Sequence, residues 1–268
     1  MRINEVRDLN CDGFIIGINN LSLGFSKTYT VDEIKKLKTE KELFIDLNKN
    51  IFNSDLGELT KVLKELDGFV TGIWFNDLGV LEICRRLGLK HHLYWHQNFL
   101  VVNYQDINFY EGMGIKGAVL ANEITTDEID EIINKTHVSL VSLLMGRRLE
   151  GVSKRSFLTN YFNYYEKPVK KSLKIRDIAT SKEALIKEEE DTLIKDFNYF
   201  NGSSLLDKNL SYGYINEDDF EEEELKKIIF SLNRYIKTKD KKYLSDIEDI
   251  VGTDKGFLNV KTIYKVKR

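Results

Sequence analysis

Proline is almost missing: Pro168 is the one proline in 268 residues, where an average usage of about 5% would give roughly a dozen. So little proline excludes a collagen, a polyproline linker and a mucin-like stalk. Cysteine is nearly as scarce. Cys11 and Cys84 cannot make a disulfide framework or a four-thiolate cluster between them. Reduced thiols and a cytoplasmic location are the expectation. No apolar run approaches the roughly 20 residues of a membrane span, so no membrane partner is expected. The start Met1-Arg2-Ile3-Asn4-Glu5 lacks the basic-then-apolar pattern of a signal peptide. An excess of one charge is also missing. Forty basic and 43 acidic residues leave a net charge of −3, so no global basic field recruits nucleic acid or an anionic membrane.

What is present is a rhythm. Short apolar runs occur at residues 13–18 (GFIIGI), 43–48 (LFIDLN), 69–75 (FVTGIWF), 93–97 (LYWHQ), 117–121 (GAVLA) and 138–145 (VSLVSLLM). Their starts lie 20–30 residues apart, the span of one strand–helix–strand crossover. Helical patterns fill the gaps. Thr30 and Glu33 read as a capping box. Leu56, Leu59, Val62, Leu63 and Leu66 form an apolar stripe. Thr126 reads as the cap of a third helix, with Ile129, Ile132 and Ile133 on one face. Strands apolar on both faces, alternating with helices, predict a parallel sheet covered by helices. No glycine-rich phosphate loop follows the first strand, where Ile18-Asn19-Asn20-Leu21 stands, which argues against a dinucleotide-binding sheet. Near-equal units in a chain close to the typical barrel length of about 250 residues predict an α/β, TIM-barrel-like (β/α)8 fold.

Both ends depart from the plain barrel. Ile3, Val6 and Leu9 have helical spacing, so a short helix and a barrel incomplete or modified at its N-terminus are expected. Residues 1–165 then carry the barrel units. Residues 166–268 carry a hairpin (184–187 with 192–195), a last barrel strand (211–215), helices over 221–235 and 243–251, and a closing strand over 256–267. Both regions are expected to pack as one domain.

In a parallel barrel the active face lies at the carboxyl ends of the strands. Asn19, Asn20, Asn48, Asn76, Asp77, His96, Gln97, Asn98, Asn122, Glu123, Arg147 and Arg148 fall there. Carboxamides dominate this set, which suits hydrogen bonding to a planar amide-like group or a carboxylate. The competing reading is that each Asn or Asp caps the next helix. His92 and His96 lie on a strand, with His92 at the end away from the mouth, so no metal site is expected from them. Arg147, Arg148, Lys154 and Arg155 place four cations within nine residues, which reads as an anion clamp or as a solvated basic loop.

That segment, MGRRLEGVSKRSFLTNYF, resembles the signature of the peptidase U32 family, in which a Gly-Arg pair precedes Ser-x-Arg-x-x-Leu-x-Asn-Tyr. WFNDLG at Trp74, Gln97 at a strand end, VLANEITTDEI at Val119 and GFLNVKTIYKVK near the C-terminus also resemble family elements, in the family's order. The resemblance implies a TIM-barrel-like fold and either of two activities. One is the old peptidase label. The other is participation in hydroxylation of RNA bases or ubiquinone precursors. Members of the second kind carry four cysteines for an iron–sulfur cluster after the Asn-Tyr motif. Here Asn160-Tyr161 is followed by Phe-Asn-Tyr-Tyr-Glu-Lys-Pro, so no cofactor is expected, as in short cluster-free paralogues that accompany a larger relative. The first expectation is therefore a cluster-free component of tRNA uridine hydroxylation. Asn48, Asn76, Gln97, Asn122, Arg147, Arg148, Ser153, Arg155, Asn160 and Tyr161 would bind RNA or a small carboxylate at the mouth. The alternatives are a peptide hydrolase with Glu123 or Asp77 as general base, and a non-catalytic subunit of a larger paralogue.

Overall fold

The computed structural model describes residues 9–37 and 39–260; the helix expected around Ile3 and Val6 lies outside them. The chain runs β1 (Gly13–Ile18), a two-residue β2 (Thr28–Tyr29), α1 (Val31–Lys35), β3 (Glu42–Leu47), α2 (Leu56–Leu66), β4 (Gly72–Phe75), α3 (Leu78–Leu87), β5 (Leu93–His96), α4 (Tyr104–Gly112), β6 (Gly117–Val119), α5 (Thr126–Lys135) and β7 (Ser139–Gly146). Strands β1, β3, β4, β5, β6 and β7 pair in parallel in that order. β2 adds in parallel to the far side of β1.

The other edge is extended late in the chain. β13 (Tyr212–Ile215) pairs in parallel with β7, as expected for 211–215. The two-residue β12 (Phe200–Asn201) pairs antiparallel with the tip of β7, completing a nine-stranded sheet. Among the described residues no ladder joins β13 to β1 or β2. Side chains bridge that gap instead. The Tyr212 hydroxyl donates to Glu42 Oε1 at 3.1 Å, and its ring stands edge-on to Phe44 at 5.7 Å. Near the mouth, Ser26 N donates to Asp218 Oδ2 at 2.8 Å. The fold is an incomplete TIM-like barrel.

Alternation along each strand separates two cores. Ile45, Leu47, Ile73, Phe75, Leu93 and Trp95 face the helices, where Leu59, Leu63, Leu66, Val80, Ile107 and Ile129 meet them. Phe44, Trp74, Tyr94, Val119 and Val141 fill the barrel interior. Fully burying one such side chain is worth about 1.5–3 kcal/mol, which is why both faces of these strands are apolar. Gly117 makes the interior fit: a Cβ there would stand 2.2 Å from the Tyr94 ring.

The capping box of α1 forms as read, Thr30 with Glu33. That of α5 is shifted by one residue. Thr125, not Thr126, is the cap, and it exchanges bonds with Glu128. Thr126 donates instead, through N at 2.9 Å and Oγ1 at 2.6 Å, to Leu258 O. This pins the C-terminal segment, where residues 256–259 form a turn rather than the start of a strand; residues 261–267 of that expected strand lie outside the described residues.

The expected hairpin belongs to a larger unit. β8 (Leu149–Ser153), β9 (Ser172–Arg176), β10 (Glu183–Glu188) and β11 (Thr192–Asp196) form an antiparallel sheet in the order β8-β11-β10-β9. Between β8 and β9 lies α6 (Phe157–Tyr164). Its N-terminus is held by Glu188, which accepts from Leu158 N at 2.8 Å and Thr159 N at 3.0 Å. Helices α7 (Glu222–Thr238) and α8 (Lys242–Val251) bury Leu225, Ile228, Leu232, Ile247 and Val251 in the same outer core as the barrel helices.

Candidate functional site

The strand ends carry a cavity of about 400 Å³. The barrel forms its floor and the small sheet contributes one wall, through Leu149, Val152, Leu193 and Lys195. Strand alternation decides what reaches the floor. On β3, Phe44 joins the interior cluster, so Asp46 two residues on faces the same way and lines the cavity. On β5, Tyr94 is interior and His96 follows it into the cavity. Asp46 and His96 are 4% and 6% exposed, and Asp46 Oδ1 lies 3.1 Å from His96 Nδ1. Trp74, on the strand between them, stands edge-on to the imidazole at 5.3 Å and to Tyr214 at 5.4 Å.

This pairing favours the charged form of the ring. Burial disfavours the charged imidazole. The Asp46 carboxylate, by charge and hydrogen bond, and the nearby Asn98 amide outweigh it, so the His96 pKa stands above its ordinary value of 6.5. His96 Nε2 is buried and makes no hydrogen bond of ordinary length among the described residues. Such an unmade bond costs about 1–3 kcal/mol, a cost that a ligand acceptor can remove. Burial, followed by the Asp46 charge, raises the pKa of the Tyr214 phenol and keeps it protonated.

Around this pair runs a belt of carboxamides. Asn48 Nδ2 donates to Asp46 Oδ2 at 3.2 Å and to Leu23 O at 3.0 Å, while its Oδ1 accepts from Leu23 N at 2.7 Å. Asn76 Nδ2 donates to Asn48 O at 3.0 Å. Gln97 Nε2 donates to Asn76 O at 2.6 Å. These side chains tie neighbouring strand ends together rather than cap helices. Asn122 lines the cavity beside them.

The basic residues separate. Arg147 lines the cavity. Its guanidinium stacks on Tyr199 at 4.0 Å and lies 3.5 Å from Asp219, and Asp219 also faces Lys195 at 3.4 Å. Gly146, with φ +133, makes the turn that delivers it. Arg148 points elsewhere. It is buried, donates through Nε to Asp196 at 2.7 Å, and is absent from the cavity wall. Arg155, Asn160 and Tyr161 are exposed on or beside α6, outside the cavity lining. Ser153 accepts from Arg155 N at 3.2 Å. The expected three-arginine clamp therefore does not assemble, because consecutive residues leaving β7 point to opposite sides.

The two acids read as candidate bases also stand apart from the cavity lining. Asp77 caps α3, accepting from Gly79 N at 2.7 Å, and Glu123 is exposed. The sequence reading missed Asp46. Its signal was an acid inside an apolar strand, in period-two register with Asn48. His96 stands among the strand-end residues that the sequence places at the mouth, but without a partner or a role. Among the described residues no group of three or more His, Cys, Asp or Glu is placed to hold a metal ion, and no helix is long and apolar enough to cross a membrane.

The fold and mouth together define an open parallel β/α barrel with a buried Asp–His pair at its strand ends. The chain belongs to peptidase family U32, whose model matches residues 10–171, from before β1 to the start of β9. It is 27% identical over 160 residues to tRNA hydroxylation protein P2 of Bacillus subtilis (strain 168), covering 58% of this chain and 52% of the relative. It is 26% identical over 139 residues to tRNA hydroxylation protein P1 of the same organism, covering 50% of this chain and 33% of the relative. The matches thus span about half of one curated relative and a third of the other. A solved structure described as the U32 peptidase Mk0906 superposes with a TM-score of 0.41 at 15% identity, over 52% of this chain and 63% of that one.

Proposed function

We propose that this chain is a component of tRNA uridine hydroxylation whose barrel mouth holds a ligand oxygen against His96. The observation that carries the reading is the buried Asp46–His96 pair, whose Nε2 makes no hydrogen bond of ordinary length among the described residues, beside a cavity walled by carboxamides and Arg147. A charged imidazole held by a carboxylate gives a strong, oriented donor. A base carbonyl or a small carboxylate is the acceptor such a donor fits. The names of the two curated relatives point to tRNA hydroxylation as the setting. On this reading a larger family member is the expected partner, and the protein acts in the cytoplasm with tRNA.

Mass spectrometry of tRNA nucleosides tests this. Deleting the gene removes hydroxylated uridine, wild type restores it, and His96→Ala does not. Unchanged uridines in the deletion strain would sink the proposal. Peptide hydrolysis is less well supported. Among the described residues no serine, threonine or cysteine lines the cavity, so none of them offers the Asp–His pair a side-chain nucleophile there.

A further inference from the structure

Helix α6 presents an aromatic stripe to solvent. Leu158 and Phe162 are its buried face. Phe157, Tyr161 and Tyr165, spaced four residues apart, lie along another face and are 38%, 50% and 53% exposed, with Tyr164 beside them at 78%. The rings of Tyr161 and Tyr165 are 4.9 Å apart and those of Tyr164 and Tyr165 are 5.0 Å apart. Exposed aromatics clustered this way mark an interaction site. The surrounding charge says with what. Residues 154–176 hold seven cations and one acid, in a chain of net charge −3. Lys154 and Arg155 precede the stripe; Lys167 and Lys170 follow it. Arg155, Lys167, Lys170 and Arg176 are exposed and make no ion pair among the described residues.

We infer that this face is a docking surface for a short single-stranded stretch of RNA, whose bases stack on Tyr161, Tyr164 and Tyr165 while Arg155, Lys167 and Lys170 meet its phosphates. The inference rests on the tRNA reading above and adds the surface that makes the contact. Stacking platforms flanked by cations are the general solution for single strands. A protein partner fits less well, since interface cores are depleted in lysine. The size is suitable. Eight helical residues span about 12 Å, or three to four nucleotides at roughly 3.4 Å each. The position is suitable too: β8, which lines the mouth through Leu149 and Val152, leads directly into α6.

The test is fluorescence anisotropy of the full chain with a labelled 12-nucleotide single-stranded RNA and with its duplex. Each base stacked on a tyrosine is worth roughly 5- to 150-fold in affinity. Tyr161→Ala/Tyr165→Ala is therefore expected to weaken single-strand binding at least tenfold, leaving its salt dependence unchanged. Arg155→Glu/Lys167→Glu/Lys170→Glu is expected to flatten the slope of log K against log salt by about two. Both variants are expected to keep the wild-type circular dichroism and melting midpoint, because the altered side chains are exposed. The wild type is expected to prefer the single strand to the duplex. The inference is overturned if wild type binds no RNA, or if the tyrosine variant binds as tightly as wild type. It is equally overturned if that variant keeps RNA binding but loses a larger family member on co-purification. The two proposals fail separately. Stripe-dependent RNA binding with unchanged uridines in the deletion strain supports the surface and sinks the hydroxylation reading. Lost uridines with stripe-independent binding do the reverse.

Discussion

Replacing Asp46 by Asn keeps the shape of the floor and removes one charge. At the observed 3.1 Å, the attraction between carboxylate and imidazolium is about 5 kcal/mol at an effective dielectric of 20. Desolvation cancels part of this. Breaking one side of a buried pair typically costs about 3–5 kcal/mol. The sign of the pH dependence is the sharper test. In the wild type the folded-state pKa of His96 is raised above 6.5. The pair's stabilisation is therefore complete below 6.5 and lost as pH rises through the folded pKa. In Asp46→Asn, burial acts without its main opponent, so His96 folds neutral and stability rises with pH through the same region. Urea denaturation at pH 5.5 and pH 8.5 should show a cost of about 3–5 kcal/mol at the lower pH and a much smaller one at the higher. An NMR titration should place the His96 pKa above 6.5 in wild type and below it in the variant. Equal costs at the two pH values, or an unmoved titration, would refute the reasoning.

Three further outcomes follow from the packing. Burial raises the Glu188 pKa, but hydrogen bonds from Lys171 and Thr159 hold it at about 2, against an ordinary 4.5; its contribution is present above pH 4.5 and lost as pH falls toward 2. Near pH 7, Glu188→Gln should loosen α6, speeding amide exchange at Leu158 and Thr159 while barrel-strand amides keep their protection. Gly117→Ala drives a methyl into the Tyr94 ring and should cost about 1–3 kcal/mol by denaturation. Asp196→Ala strands the buried Arg148 and should cost about 3–5 kcal/mol, whereas Arg147→Ala leaves Asp219 its Lys195 partner and should cost less in the same denaturation assay.

The barrel strands are legible because both of their faces are buried, so each is a run of apolar residues that contrasts with the amphipathic helices around it. β8 and β9 carry no such contrast. LEGVS is half-buried and SLKIR mostly exposed at the small sheet, and short mixed strands of that kind read as loop. Charge misled at Arg147-Arg148-Arg155, since sequence proximity says nothing of direction at a turn with φ +133. Asp46 was hidden for a related reason. Read as part of an apolar run, 43–48 yields a strand and no chemistry. Read at period two, it yields Phe44, Asp46 and Asn48 on one face. Its pairing with His96 two strands away needs the register, in which Asp46 lies opposite Trp74 and Trp74 opposite Tyr94.

The adjacent arginines explain how mouth and small sheet come to act as one unit. Arg147 turns inward, where its backbone N and guanidinium both meet Asp219 just after β13. Arg148 turns outward and is buried on Asp196, the last residue of β11. One dipeptide thus ties the end of β7 to the turn after its neighbour β13 and to the small sheet. Asp219 also holds Lys195 of β11 at 3.4 Å, which closes the circuit. The carboxamide belt and this sheet both border the cavity that holds His96. The same sheet carries α6 through Glu188, so the aromatic stripe stands at a fixed place relative to the cavity. An RNA strand held on that stripe would be presented to the mouth by rigid elements, with no loop required to move.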